Sequence, residues 1–189
     1  MVNYPNGKKA TGVKIKSTAN RGMTLENDLN ITNSHYNENK MAVVYKKPTP
    51  VQIVKVDYPS RNKAKIVEAY YKTPSTTDYC GVYRGYSLDF EAKETKSKTS
   101  FSLSNIHYHQ IEHLKNVIHQ SGIAFFIIRF VSLDMTYFVF ACDIIKMYDN
   151  GSKSIPYKWF EENAVLIPFS LLKPIDYLNV INQTFKTKE

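Results

Sequence analysis

The sequence predicts a mixed α/β domain, and three observations carry that prediction. Runs rich in β-branched and aromatic residues, set between Pro-marked turns, occupy 41–46, 51–57 and 64–71. Two more occupy 123–131 and 135–142, beyond a stretch at about 105–120 whose apolar residues recur at helical spacing. The 189-residue chain is also 43% hydrophobic and 13% aromatic, enough to bury one sizeable core. Strands and helices interleaved in this order suit a layered α/β architecture.

Taken in order, residues 1–21 carry Lys8, Lys9, Lys14, Lys16 and Arg21 with no acidic residue and few large apolar groups. They read as a flexible basic arm, which leaves 22–189 as a single domain. From Met23 to about Asn37 the spacing of Leu25, Leu29, Thr32 and Tyr36 predicts a short helix, with Glu26 in the first turn where a carboxylate suits the helix dipole. The three strand runs that follow are broken by Lys47-Pro48-Thr49-Pro50 and by Tyr58-Pro59-Ser60, so two of them are expected to pair as a ribbon over about 45–70. Positive charge concentrates there: Lys40, Lys46, Lys47, Lys55, Arg61, Lys63, Lys65 and Lys72 stand against Asp57 and Glu68. A projecting basic ribbon suits phosphates or a groove, with Tyr45 and Tyr58 available for stacking; the plainer alternative is an edge hairpin guarded by lysines. Short strands to about 83 and over 86–93, the helix at 105–120, the two later strands, a polar turn at Asn150-Gly151 and one or two short C-terminal helices complete the chain.

Composition narrows the function classes. A formal charge of +8 and a pI near 9.3 favour a polyanionic partner, because clustered Lys and Arg are rewarded by phosphate charge and counterion release. The two cysteines, Cys80 and Cys142, form no C-x-x-C pair, which argues against a disulfide framework or zinc knuckle and fits a reducing cytoplasm. No signal-peptide pattern is visible. The longest apolar run, Ile123 to Ile128, is stopped by Arg129 and reads as a buried strand rather than a membrane span.

The chemistry is expected on the strand from Tyr86 to Lys93. Alternation places Leu88, Phe90 and Ala92 on one face and Asp89, Glu91 and Lys93 on the other, the charged face turned outward. A hard cation such as Mg²⁺ takes oxygen ligands, and phosphodiester hydrolysis needs an activated water and a cation beside the developing phosphorane charge. Glu91 and Lys93 supply a carboxylate and an ammonium from one rigid strand, and Asp78, thirteen residues earlier, can return across a hairpin as the second carboxylate. Together they match the D-x(n)-E-x-K pattern of restriction-type nucleases. Glu94-Thr95-Lys96 repeats the pattern, but strand parity assigns Glu94 to the face of Phe90 and Ala92. In the following helix Ile111, Leu114, Val117 and Ile118 form one stripe with Gln110 at its margin, so Gln110 is expected to face the sheet and to orient a water or ligate through its carbonyl. The same helix holds His109-Gln110-Ile111-Glu112-His113, an H-x-x-E-H match to one class of zinc protease. Both histidines fall well away from the apolar stripe and are expected to point to solvent, where they make a poor catalytic site.

Longer words in the chain resemble the RecU family of Holliday junction resolvases of low-GC Gram-positive bacteria. They include Arg21-Gly22-Met23 with Leu25-Glu26, the run from Tyr45 to Val54, and Tyr58-Pro59-Ser60-Arg61. Further along are Pro74-Ser75-Thr76-Thr77-Asp78-Tyr79, the run from Asp89 to Lys96, and Asn105-Ile106-His107 followed by His109-Gln110. The resemblance is continuous over roughly 21–130. It implies a restriction-endonuclease-like central mixed sheet flanked by helices, with the basic β-hairpin as a stalk that reaches into the open junction. It also implies a homodimer with two active sites, and Mg²⁺-dependent paired symmetric nicking in homologous recombination, repair and chromosome segregation, Mn²⁺ serving as a substitute. On that resemblance Thr76, Asp78, Glu91 and Gln110 are metal-site positions and Lys93 is the transition-state lysine. Lys46, Lys47, Arg61 and Lys63 are the DNA-contact candidates of the ribbon. The family further implies an association with the RecA recombinase and a cytoplasmic, nucleoid-associated location with no membrane partner. The alternative kept open is a junction-binding, RecA-modulating protein whose nuclease site is vestigial. Cys80 and Ser102 depart from the family pattern, where Asn and Pro are expected, and the C-terminal third matches only in fragments such as Lys153-Ser154-Ile155-Pro156; none falls in the proposed catalytic set.

Overall fold

The computed structural model describes residues 24–60, 62–72 and 76–186; the basic stretch 1–21 and Arg61 lie outside the described residues. The chain opens with helix α1 (Leu25–Glu38), started by Thr24, whose hydroxyl accepts from the Asn27 N–H. Strands β1 (Val43–Lys46), β2 (Val51–Asp57), β3 (Lys65–Tyr71), β4 (Tyr79–Tyr83), β5 (Tyr86–Thr95) and β6 (Ser100–Ser102) follow. Then come helix α2 (Tyr108–His119), β7 (Ile123–Phe130), β8 (Met135–Phe140), α3 (Ala141–Asp149), β9 (Ser154–Pro156), α4 (Tyr157–Asn163), β10 (Val165–Leu166) and α5 (Tyr177–Lys186).

Six strands form one mixed sheet in the order β1-β4-β5-β7-β8-β10, with β5 and β7 parallel and the other neighbours antiparallel. The parallel pair is joined by α2, the crossover that two parallel neighbours require. Each face of the sheet carries its own core. Phe90, Phe125, Ile127 and Phe138 pack under Leu29 and Tyr36 of α1 and Tyr177 and Ile181 of α5. Ala124, Phe126, Ile128 and Val139 pack under Ile111, Leu114, Ile144 and Phe160 of α2, α3 and α4. The uninterrupted apolar run of β7 is thereby explained: both faces of this central strand are covered, so no position can be polar without a partner. Arg129, which ends the run, has one, donating from Nη2 to Asp28 Oδ2 of α1 at 2.6 Å.

Four rings stack in series across β4, β5, β7 and β8: Tyr79 to Phe90 at 4.8 Å, Phe90 to Phe125 at 4.5 Å and Phe125 to Phe138 at 4.6 Å between centroids. This ladder fixes the hairpin register from which the site is built. Replacing Phe90 by Ala is expected to lower unfolding free energy by about 3–5 kcal/mol, measured by denaturant titration. The β4–β5 hairpin turns on Arg84-Gly85, both with positive φ (48° and 82°), the two-residue geometry that matches strand twist. Gly81 admits β1 alongside, since a Cβ there would lie 2.2 Å from the Val43 carbonyl oxygen.

Among the described residues β2 and β3 pair only with each other, and every residue of both is exposed. They form the ribbon that the proline and lysine pattern predicts, between the end of β1 at Lys46 and the start of β4 at Tyr79. Several other expectations need correction. The helix expected from about 105 starts at Tyr108, after a 3-10 turn over Leu103–Asn105. The strand expected to run to 142 stops at Phe140, where α3 begins, and β6, β9 and β10 are too short to leave a periodic trace.

Candidate active site

Hairpin register brings the two carboxylates together. Tyr79 pairs with Phe90, so Asp78 stands one rung further, opposite Glu91, and its N–H donates to Glu91 Oε2 at 3.1 Å. The thirteen-residue separation is the sum of two strand halves and a tight turn. Lys93, on the same face of β5, places Nζ 2.8 Å from Glu91 Oε1. Gln110 Nε2 donates to that same oxygen at 2.6 Å, while its Oε1 accepts from the His107 N–H at 3.0 Å. A backbone N–H can only donate, which settles the amide's orientation: Gln110 meets Glu91 through its NH₂ group.

Glu91 is wholly buried, and burial, followed by the negative charge of Asp78, pushes its carboxyl up to about 7 against the pull of Lys93. The charged face of β5 is therefore not turned outward as expected: α2 covers it, and Asp89 is buried beside Glu91. Two crowded carboxylates in a low-dielectric pocket are costly unless a cation joins them, and this is the physical fit of the site to a hard divalent ion. A divalent ion there would compete with the proton on Glu91. Below about pH 7 apparent Mg²⁺ affinity is expected to fall roughly tenfold per unit as the carboxyl protonates. The sign for stability without added metal is the reverse of the usual carboxylate case. A raised folded pKa means the folded state holds more protons between the unfolded value and about 7, so stability falls as pH rises through that window. Calorimetric titration of Mg²⁺ at pH 6, 7 and 8, with melting in chelator at each pH, checks both.

The second copy of the motif has a different task. Glu94 lies on the α1 face, as parity predicts, and its Oε1 accepts from the Leu25 N–H at 2.8 Å, capping α1. Truncation to Ala is expected to remove about 1 kcal/mol of stability, read by thermal unfolding. Lys46 and Lys47 are separated by the same parity. Lys46 turns to α1 and pairs with Glu26 Oε2 at 2.6 Å, where both line a cleft with Asp78 and Glu94. Lys47 turns to the opposite face, where Nζ lies 2.8 Å from Asp89 Oδ1. Lys63 is exposed in the turn of the ribbon. The Thr76 hydroxyl donates to the Thr77 carbonyl at 3.5 Å.

The two histidines of the H-x-x-E-H match do not point to solvent. His113 Nε2 is 2.9 Å from Asp89 Oδ1, and His109 buries an Nε2 without a partner, its imidazole held below the usual histidine range by burial, His107 and Lys93. Among the described residues no three His, Cys, Asp or Glu side chains converge as a metal-holding group, so these histidines build no zinc centre. An ion at Asp78 and Glu91 would complete its shell with water, as Mg²⁺ readily does. Glu26, Asp89 and His113 are residues of this region to which the sequence assigns no site role, although alternation places Asp89 on the face of Glu91. The first carried only a helix-start signal, and the others partner groups far away in sequence.

Two carboxylates and a lysine gathered under α2, with a basic ribbon rooted beside them, make a donor set of the kind a phosphodiester-cleaving nuclease uses. The family model "RecU: Recombination protein U" matches residues 20–183, and the chain belongs to that family. It is 49% identical over 193 residues to the Holliday junction resolvase RecU of Streptococcus pyogenes serotype M1, covering 98% of this chain and 97% of the relative. It is 48% identical over 196 residues to that of serotype M5 strain Manfredo, with the same coverage. Among solved structures, the Holliday junction resolvase Hjc of Archaeoglobus fulgidus aligns with a TM-score of 0.40 and 11% identity over 70% of this chain and 89% of that one.

Proposed function

We propose that the chain is a divalent-metal-dependent endonuclease that resolves four-way DNA junctions by paired, symmetric nicks. The observation that carries the chemistry is the opposition of Asp78 and Glu91 across the β4–β5 hairpin with Lys93 at 2.8 Å from Glu91. Its RecU relatives are named for junction resolution. Mg²⁺, or Mn²⁺ in its place, would be held by Asp78 and Glu91 and would supply Lewis acidity and a water of lowered pKa. The chain's own residues do the rest. Gln110 holds Glu91 in orientation; ligation through its own Oε1, the role the resemblance implies, requires release of the His107 N–H. Thr76 precedes Asp78 on the same loop and is available as a further oxygen donor. The Lys93 ammonium meets the charge that builds on the phosphorus oxygens.

In this reading residues 22–189 act as one nuclease domain, the ribbon at about 45–70 is its junction-entering stalk, and Lys46, Arg61 and Lys63 contact DNA. Val51, Ile53, Val56, Ile66, Val67 and Tyr71 are exposed along the ribbon, an apolar load that supports burial against a second copy or against bases. A homodimer would set one site on each of two strands. Association with RecA and a nucleoid location in the cytoplasm rest on the family resemblance.

The test is a labelled four-way junction and a linear duplex of the same sequence, each with and without Mg²⁺. Symmetric nicks confined to the junction and dependent on Mg²⁺ or Mn²⁺ are expected, with affinity falling steeply as salt rises. Tight junction binding with no nick at any metal concentration would refute the nuclease and favour a junction-binding modulator with a vestigial site.

A further inference from the structure

Asp89 is a second buried carboxylate on the α2 face of β5, two residues before Glu91, and its Oδ1 is saturated. It accepts from the Thr77 hydroxyl, from Lys47 Nζ at 2.8 Å and from His113 Nε2–H at 2.9 Å. Lys47 Nζ also reaches Thr77 Oγ1 at 3.1 Å, and the Lys47 backbone N–H donates to the Asp78 carbonyl at 2.7 Å. One lysine thus holds the loop carrying Asp78 by main chain and side chain together.

We propose that Lys47, Thr77 and Asp89 form a clamp at the root of the ribbon that positions Asp78 for cation binding, which makes them positioning residues rather than DNA or metal contacts. The proposal rests on the reading that Asp78 and Glu91 hold the cation. Its first ground is topological. Pairing of β4 begins at Tyr79, so Asp78 lies just beyond the ladder, and the ribbon leaves the sheet at Lys47 and re-enters through the Asp78 loop. Any displacement of the ribbon would pass directly to Asp78 unless that root were pinned. The second ground is energetic. A buried carboxylate persists when its lone pairs are met, and here two of the three donors come from the two chain segments that form the root. The third, His113, ties the clamp to α2, the helix that carries Gln110. Were Asp89 a metal ligand instead, the ammonium on its oxygen would oppose the ion.

That difference in sign makes the clamp testable. Mn²⁺ binding to the full chain without DNA is read from loss of the free-ion electron paramagnetic resonance signal. Junction affinity is read in chelator, and the Mg²⁺ concentration for half-maximal cleavage in parallel. Lys47→Met, Asp89→Asn and Thr77→Val are each expected to weaken Mn²⁺ binding and raise the Mg²⁺ midpoint roughly tenfold, the usual effect of losing a group that orients a ligand. The Lys47→Met/Asp89→Asn double variant should lose no more than the worse single one, and Lys47→Arg should recover most of the loss. Asp89→Asn and Thr77→Val should bind the junction in chelator within about twofold of the parent, which also certifies their fold; if Asp89→Asn fails that check, Thr77→Val and Lys47→Met carry the same expectation.

Tighter Mn²⁺ binding by Lys47→Met would overturn the clamp by showing Asp89 freed as a ligand. An unmoved Mg²⁺ midpoint with weakened junction binding would overturn it by making Lys47 a DNA contact. Asp78→Asn separates the levels: loss of Mn²⁺ binding there with none in the clamp variants sinks the clamp alone, whereas Mn²⁺ binding unaffected by Asp78→Asn sinks the site itself.

Discussion

Asp78→Asn and Glu91→Gln are each expected to reduce junction cleavage by at least roughly a thousandfold while leaving junction affinity in chelator nearly unchanged. Each substitution keeps the shape of its side chain and removes a formal charge from a site where the Asp78 N–H donates to Glu91 Oε2 and the Asp78 charge acts on the Glu91 carboxyl. A divalent cation held by both carboxylates would contribute several kcal/mol of stabilisation to phosphodiester cleavage, and a site with one carboxylate left would hold it too weakly to supply that. Binding survives because neither carboxylate is a proposed DNA contact, and two of those contacts, Arg61 and Lys63, lie between β2 and β3, which form a sheet separate from the one that carries Glu91. Glu91→Gln should also stabilise the fold in chelator at pH 8, because it replaces a buried ionised group by a neutral one. Single-turnover cleavage, filter binding and thermal melting report the three consequences. Cleavage within tenfold of the parent in either variant, at saturating Mg²⁺, would show that the chemistry lies elsewhere.

Lys93→Met is expected to cost about 10²–10³ in the single-turnover rate, the scale for loss of one group aimed at transition-state charge. It should not weaken metal binding. The Lys93 ammonium lies 2.8 Å from Glu91 Oε1 and so competes electrostatically with a cation on that carboxylate. A variant that loses rate while holding Mg²⁺ as well as the parent, or better, identifies a transition-state role. A variant that loses metal affinity in proportion to rate would make Lys93 a structural partner of Glu91. Lys93→Arg should recover little, because a planar guanidinium cannot take the position of a compact ammonium in this enclosed site.

Features with a local cause were legible in the chain. Period-two alternation on β5 assigned Glu91 and Lys93 to one face and Glu94 to the other, and Glu94 does cap α1 on that opposite face. The 100° repeat of α2 turned Gln110 towards the sheet, where it reaches Glu91. Lysines and prolines between 46 and 72 marked a ribbon, the two-stranded sheet of β2 and β3. All three depend on geometry that repeats within one element, so neighbours in sequence suffice to read them.

Long-range partners were not legible. The apolar stripe of α2 turns His109 and His113 towards solvent, but that stripe marks only where apolar side chains are buried. The sheet beneath that helix presents Asp89, and a buried carboxylate draws a polar side chain inward as firmly as an apolar surface draws Ile111. Lys47 looked equivalent to Lys46 because both sit in one basic run. Which face each takes is set by pairing of β1 with β4, and their partners, Glu26 and Asp89, lie 20 and 42 residues away. Sequence by itself determined the class of chemistry, through side-chain types spaced to share one strand face and one hairpin. Only the tertiary structure decided which charges are buried and what holds them, because the energy of a buried charge depends on donors that separate parts of the chain bring to it.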